Sequence, residues 1–134
     1  MGLQTDDTTA SAMLDAMETS IGTSPTLKMR TGAPPANCAA ADSGTVVATI
    51  PLPSDWLNNA ASRQKTKAGT WQDASADATG TAGHFRVYDS GGACRMQGNV
   101  TATGGGGVMT VDNTSFAAGQ SFTVTSFSIA DGNA

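Results

Sequence analysis

The sequence predicts an all-β domain, an antiparallel β-sandwich or jelly-roll-like fold with a short N-terminal α-helix. Three observations predict it. The stretch Gly83–Val100, GHFRVYDSGGACRMQGNV, sets alternating runs on either side of Asp89-Ser90-Gly91-Gly92, the pattern of a β-hairpin. About seven or eight short runs of this kind recur, joined by turn-rich connections, which disfavours a parallel sheet with its crossover helices. A helical period of apolar residues occurs near the start and then disappears. At 134 residues the chain has material for one core. The expected division is an N-terminal helix or arm over 1–24 and a β-domain over 25–134.

Ala10, Met13, Leu14, Met17 and Ile21 recur at helical spacing, with Asp15, Glu18 and Thr19 turned away. Asp6 to Thr9 supply N-cap residues, and Gly22 suits a left-handed stop, so a helix is expected from about Thr8 to Ser20. Three turns alone are marginal in water. The methionine-rich stripe must therefore pack on the β-domain or on a neighbouring subunit, and flexible Met side chains suit either surface.

Leu27 and Met29 alternate with Lys28 and Arg30 as a short strand. Pro34-Pro35 makes 31–44 a loop, since neither residue joins the middle of a sheet. Thr45 to Leu52 is a second strand with Val46, Ala48, Ile50 and Leu52 on one face, and Pro51 and Pro53 place its end at a sheet edge. Ser54 to Ala61 reads as a helical turn capped by Ser54, with Trp56 plugging one end of the core. Thr66 to Trp71 is read as a strand, followed by a small-residue connection.

In the hairpin, Phe85 and Val87 share one face, with His84, Arg86 and Tyr88 on the other. Beyond the turn, Cys94, Met96, Gly98 and Val100 alternate with Arg95, Gln97 and Asn99, which sets Cys94 in phase with Met96 on the apolar face. Gly104 to Gly107 is expected to form a flexible hairpin turn into a strand over Val108 to Asp112. Ala117 to Gln120 is a tight turn into the last strand, Ser121 to Ala130. Phe122 and Val124 have one parity there, Phe127 and Ile129 the other, so a β-bulge or corner is expected near Thr125-Ser126.

Composition narrows the function. Charged residues are 13% of the chain, hydrophobic ones 39%, and the formal net charge is −4, which argues for a folded domain with a weakly charged skin. An acidic balance argues against nucleic-acid binding through phosphate neutralisation. No run approaches a membrane span. The start, GLQTDDTT, lacks the basic and apolar regions of a secretory signal, so synthesis and folding in a cytoplasm are expected, and the sequons at Asn99 and Asn113 are read as chance matches. Arg63, Lys65 and Lys67, spaced two apart, read as a solvated loop or strand face, or as a contact with an acidic partner. The two cysteines, Cys38 and Cys94, lack CxxC spacing; a buried reduced thiol at Cys94 is expected, with a disulfide between the two as the alternative.

Reactive constellations do not assemble. His84, the single histidine, shares its face with Arg86 and Tyr88, has no nucleophile elbow near it, and reads as an exposed strand residue. Asp73 and Asp77 lack the distal Glu of a calcium loop. Gly104 to Gly107 are followed by VMTVDN, a strand rather than the helix of a phosphate loop. The chain is therefore expected to be structural or binding rather than enzymatic, with no cofactor and no metal.

The runs SPTLKMRTGAPPANCAAADSGTVVATIPLPSDW, ADATGTAGHFRVYDSGG and AAGQSFTVTSFSI lie within a pattern extending from Ala12 to Gly132. That pattern resembles small proteins encoded among the virion genes of tailed bacteriophages and prophages. The resemblance implies a structural virion component, with a capsid decoration (cement) protein as the preferred assignment. It implies a compact β-domain, a dimer or trimer, bound to the major capsid protein on the capsid exterior after synthesis in the host cytoplasm. Such a protein binds the expanded lattice better than the immature one, and many repeated contacts add avidity. Met13, Met17, Arg63, Lys65 and Lys67 are the candidate interface residues, with no nucleic-acid or membrane partner. A tail, neck or fibre-associated protein and a carbohydrate-binding module are the competing readings.

Overall fold

The computed structural model describes residues 2–132, so the outermost positions of the two expected segments lie outside the described residues. A helix α1 (Asp7–Ile21) precedes β1 (Thr26–Thr31), β2 (Val46–Pro51), β3 (Gln64–Thr66), β4 (Gln72–Asp73), β5 (Gly80–Tyr88), β6 (Cys94–Ala102), β7 (Met109–Val111), β8 (Ser115–Phe116) and β9 (Phe122–Ala130). The strands form a curled sheet in the order β2-β1-β5-β6-β7-β9-β3, with β4 on β9 and β8 on β5. The sheet closes half-way towards a barrel. The all-β expectation holds, but the sheet is mixed rather than antiparallel, because β6 and β7 pair in parallel.

That parallel pair corrects the hairpin turn expected at Gly104 to Gly107. The chain leaves β6 at Ala102, doubles back, and re-enters beside it so that Val100 pairs with Met109. Gly104 and Gly106 take φ of +87° and +81°, which side-chain-bearing residues rarely adopt. The Gly107 amide donates to Thr101 Oγ1 at 3.0 Å and Thr103 N–H to Val111 O at 3.0 Å, closing the loop on its parent strand.

The 83–100 hairpin forms as expected. Asp89 Oδ1 accepts from the amides of Gly91 and Ala93 at 3.0 Å each, and Asp89 Oδ2 accepts from Arg95 at 2.7 Å. Single extra residues nonetheless shift side chains between faces. In β2, Arg30 pairs with Val46 and Met29 with Ala48, so Val47 bulges. It is Val47 that is buried there, while Val46 is half-buried. In β6, Val87 pairs with Met96 but Tyr88 pairs with Cys94, leaving Arg95 as the extra residue. Cys94 therefore leaves the phase of Met96 and joins the face of Tyr88. In β9 the bulge falls on Thr125, between Thr110↔Ser126 and Val111↔Val124, as the parity switch predicts.

The core is one apolar cluster inside the curl, with Phe85, Phe127, Trp71 and Trp56 running through it. Phe85 meets Phe127 edge-on at 5.6 Å between centroids, Trp71 lies 5.4 Å from Phe127, and Trp56 lies 6.2 Å from Trp71. Trp56 is fully buried as expected, but 54–61 is irregular rather than a helical turn, with isolated bridges from Leu57 to Lys67 and from Ala61 to Gln64. Most of the strand expected over Thr66 to Trp71 is likewise irregular, with short ladders before and after it.

The helix is capped by Asp6, whose carboxylate accepts from Thr9 N–H at 2.8 Å. Gly22 ends it with a positive φ of 93°, but its ψ of −171° is extended rather than left-handed helical. Ala10, Leu14 and Ile21 face the domain.

Candidate functional site

Two polar clusters and one apolar surface are the features from which a function can be built. The first cluster lies on the outer face of β5. His84, Arg86 and Tyr88, read as a solvent-facing row, are all buried, because the 32–45 loop folds over them. Gly83 makes this approach feasible: it bulges between His84 and Ala82, and a Cβ there would sit 2.3 Å from Gly32 O. His84 Nδ1 is 2.8 Å from that carbonyl and must donate to it, leaving Nε2 buried with no partner among the described residues.

Arg86 is the centre of the cluster. Its Nη2 donates to the carbonyls of Asn37, Cys38 and Ala40 at 3.1, 3.0 and 3.2 Å, its Nε donates to Gln97 Oε1 at 3.1 Å, and its Nη1 pairs with Asp42. Asp42 also accepts from Arg30 at 2.9 Å and from Tyr88 at 2.6 Å. The Tyr88 hydroxyl, with the two guanidinium groups, holds the Asp42 carboxyl below its ordinary value. Burial and the Asp42 charge push the Tyr88 hydroxyl up. Every carboxylate and guanidinium here serves another, so the cluster fixes a loop rather than activating a nucleophile.

The Cys94 thiol belongs to the same neighbourhood. Burial, then the neighbouring Cys38 thiol, raise its pKa to about 11. Both cysteines are half-buried and free.

The second cluster docks α1. Lys65, expected on a solvated face, is 1% exposed. Its Nζ contacts Asp15 Oδ1 at 2.7 Å, Glu18 Oε2 at 2.8 Å and Asn58 O at 2.9 Å. Burial pulls the ammonium down, but Asp15 and Glu18 together outweigh it and its pKa is raised. Asp15 also accepts from Ala60 N–H at 2.8 Å. Asp15 and Glu18, read as turned away, thus face the domain. Arg63 is likewise no solvated cation. It donates to Thr5 O at 2.7 Å and Asp131 Oδ2 at 2.6 Å, tying the two ends of the described chain. Lys67 is half-buried, its ammonium on Gly69 O at 3.0 Å.

Met13 and Met17 remain, at 54% and 37% exposed. Met17 borders a groove of about 300 Å³ between β6 and β9, with Met96, Val108, Phe127 and Ile129 along its walls. Met13 and Met17 continue that apolar strip along the helix as far as Arg95. Of the candidate interface residues, these two lie together at the surface; the cations do not join them.

Trp56, Trp71 and Tyr88, the rings that a sugar-stacking face needs, are all buried. Among the described residues no group of three or more His, Cys, Asp and Glu is placed to hold a metal ion, and no helix is long and apolar enough to cross a membrane. Comparison with protein-family models, with curated proteins and with solved structures finds no match.

Proposed function

We propose that this chain is a structural component of a tailed-phage virion, a decoration or cement protein that binds the outer face of the major capsid shell and stabilises the mature head. The observation that carries the reading is the division of the surface. Arg30, Arg63, Lys65 and Arg86 are engaged inside the domain, whereas Met13, Met17 and Val108 stay exposed beside an apolar groove. Adhesion to a repeating lattice needs adaptable apolar contact rather than a reactive centre, and methionine supplies it. Weak contacts of this kind, repeated through a dimer or trimer over capsomer junctions, add up by avidity. A jelly-roll-like relationship to other decoration domains is part of this proposal, as is synthesis in the host cytoplasm.

The test uses heads of a phage that encodes the chain, prepared without it in expanded and unexpanded forms. Purified protein should co-sediment with expanded heads in a fixed ratio and raise their temperature of disruption. Protein that stays in the supernatant with both forms overturns the assignment. Label confined to the tail or neck, at few copies, moves the protein to the competing virion role.

A further inference from the structure

Cys38 and Cys94 come from distant parts of the chain, and the fold brings them to one place. The bulge at Arg95 turns Cys94 onto the face of its cross-strand partner Tyr88. The loop bearing Cys38 lies over that same face, held by Arg86 through the carbonyls of Asn37, Cys38 and Ala40. Gln97, also on β6, donates to Pro35 O at 2.7 Å and holds the loop from its other end. Neither cysteine is sealed in the core, and each has the other as its thiol neighbour. Without the bulge, Cys94 would share the face of Met96, away from this loop.

We propose that Cys38 and Cys94 are a paired dithiol that closes to an intramolecular disulfide, with small-molecule disulfides of the glutathione type as its oxidant. Cys38, on the loop, gives up its proton and attacks the oxidant; the oxidant's S–S bond breaks, one small thiol leaves, and a mixed disulfide remains on Cys38. Cys94 loses its proton and attacks the Cys38 sulfur, forming the protein disulfide and expelling the second small thiol. Two protein thiols have then given up two electrons and two protons, and the oxidant has become two thiols. The bond pins the 32–45 loop to β6 and stabilises the fold chiefly by restricting the unfolded chain. This inference stands apart from the virion role and requires no partner.

The purified full chain is incubated with oxidised glutathione and followed by intact mass, thiol titration and non-reducing peptide mapping. Expected are a mass loss of about 2 Da, a peptide pair linking Cys38 to Cys94, and a thermal midpoint several degrees higher that returns on reduction. The Cys94→Ser protein should stop at one adduct of about 305 Da on Cys38, and the Cys38→Ser protein, left with the raised-pKa Cys94 thiol, should be modified far more slowly. Retention of both thiols, two adducts on one chain, or bonds exclusively between chains overturns the proposal. The wild-type readouts decide the matter even where a serine variant fails to fold.

Discussion

Lys65 Nζ lies 2.7 Å from Asp15 Oδ1, so a buried strand cation is paired with a carboxylate on the helix surface that hydrophobic patterning assigns to solvent. This contact decides which side of α1 faces inward. Asp15 and Glu18 dock on the 57–65 segment, Ala10, Leu14 and Ile21 fill the space beside them, and the methionines rotate outward. A helix that is marginal on its own is thus held by ion pairs as well as apolar burial.

Lys65→Met keeps the side-chain stem and removes the charge. The helix carboxylates rehydrate in part, so the expected loss is about 2 kcal/mol, read from denaturant unfolding at neutral pH. The sign of the pH dependence follows from the shifts. Lys65 is raised in the fold, so its contribution is complete below the ordinary lysine value and disappears as pH rises through the folded one. Asp15 is lowered, by the Lys65 hydrogen bond first, so its contribution disappears as pH falls through its folded value. The difference between wild type and variant should be flat across neutral pH and shrink at both extremes.

Asp42→Asn tests the loop cluster. Folded Asp42 is held below its ordinary value, chiefly by the Tyr88 hydroxyl and then the arginines. Its stabilisation is therefore present above that ordinary value and lost as pH falls through the lowered one. Wild-type unfolding midpoints should drop more steeply than those of the variant as acid is added. At neutral pH the variant should already show proteolytic cutting within 32–45, because two guanidinium groups have lost their shared anion. Equal acid slopes in the two proteins would count against this role for Asp42.

Gly83→Ala should be costly where most small surface changes are not. The added Cβ would meet Gly32 O at 2.3 Å and the Gly32 carbonyl carbon at 2.9 Å, backbone atoms with no rotamer to yield. Displacing the loop should cost about 3 kcal/mol. Gly91→Ala, whose nearest neighbour is a side-chain oxygen of Asp89 at 3.4 Å, is the control and should change stability by less than about 0.5 kcal/mol. Parallel thermal melts of the two variants read the contrast.

These cases mark what the sequence can convey. The hairpin is legible because a glycine-containing turn sits between two alternating runs, and the Thr125 bulge because bulky residues change parity across it. The bulges at Val47 and Arg95 carry no such mark, since an inserted residue looks like any other strand residue, whereas the bulge at Gly83 is marked only by the glycine itself. They nonetheless decide which face receives Cys94 and how closely the loop can lie over His84. The parallel return after β6 is hidden for a related reason: a run of glycines permits many turns and does not state which. Arg63, Lys65 and Arg86 resemble solvated cations until their partners arrive from distant segments, so their burial is a tertiary fact. For Met13 and Met17 the pattern allows packing on the β-domain or on a neighbouring subunit, and the ion pairs of the helix leave both at the surface of the domain.

The remaining prediction concerns that exposed strip. Met13→Asp with Met17→Asp adds two carboxylates four positions apart on the outward face of the helix, with repulsion between them of about 0.5 kcal/mol. Leu14 and the Lys65 pairs stay in place, so the thermal midpoint should fall by no more than a few degrees. Contact with copies of the chain or with a capsid lattice should suffer far more, because each carboxylate must be desolvated or excluded at the interface. Sedimentation of the variant alone and with expanded heads, beside its melting curve, separates the two effects. A variant that folds, self-associates and binds heads like the wild type removes this strip from the interface and leaves the groove walls of β6 and β9 as the surface to probe next.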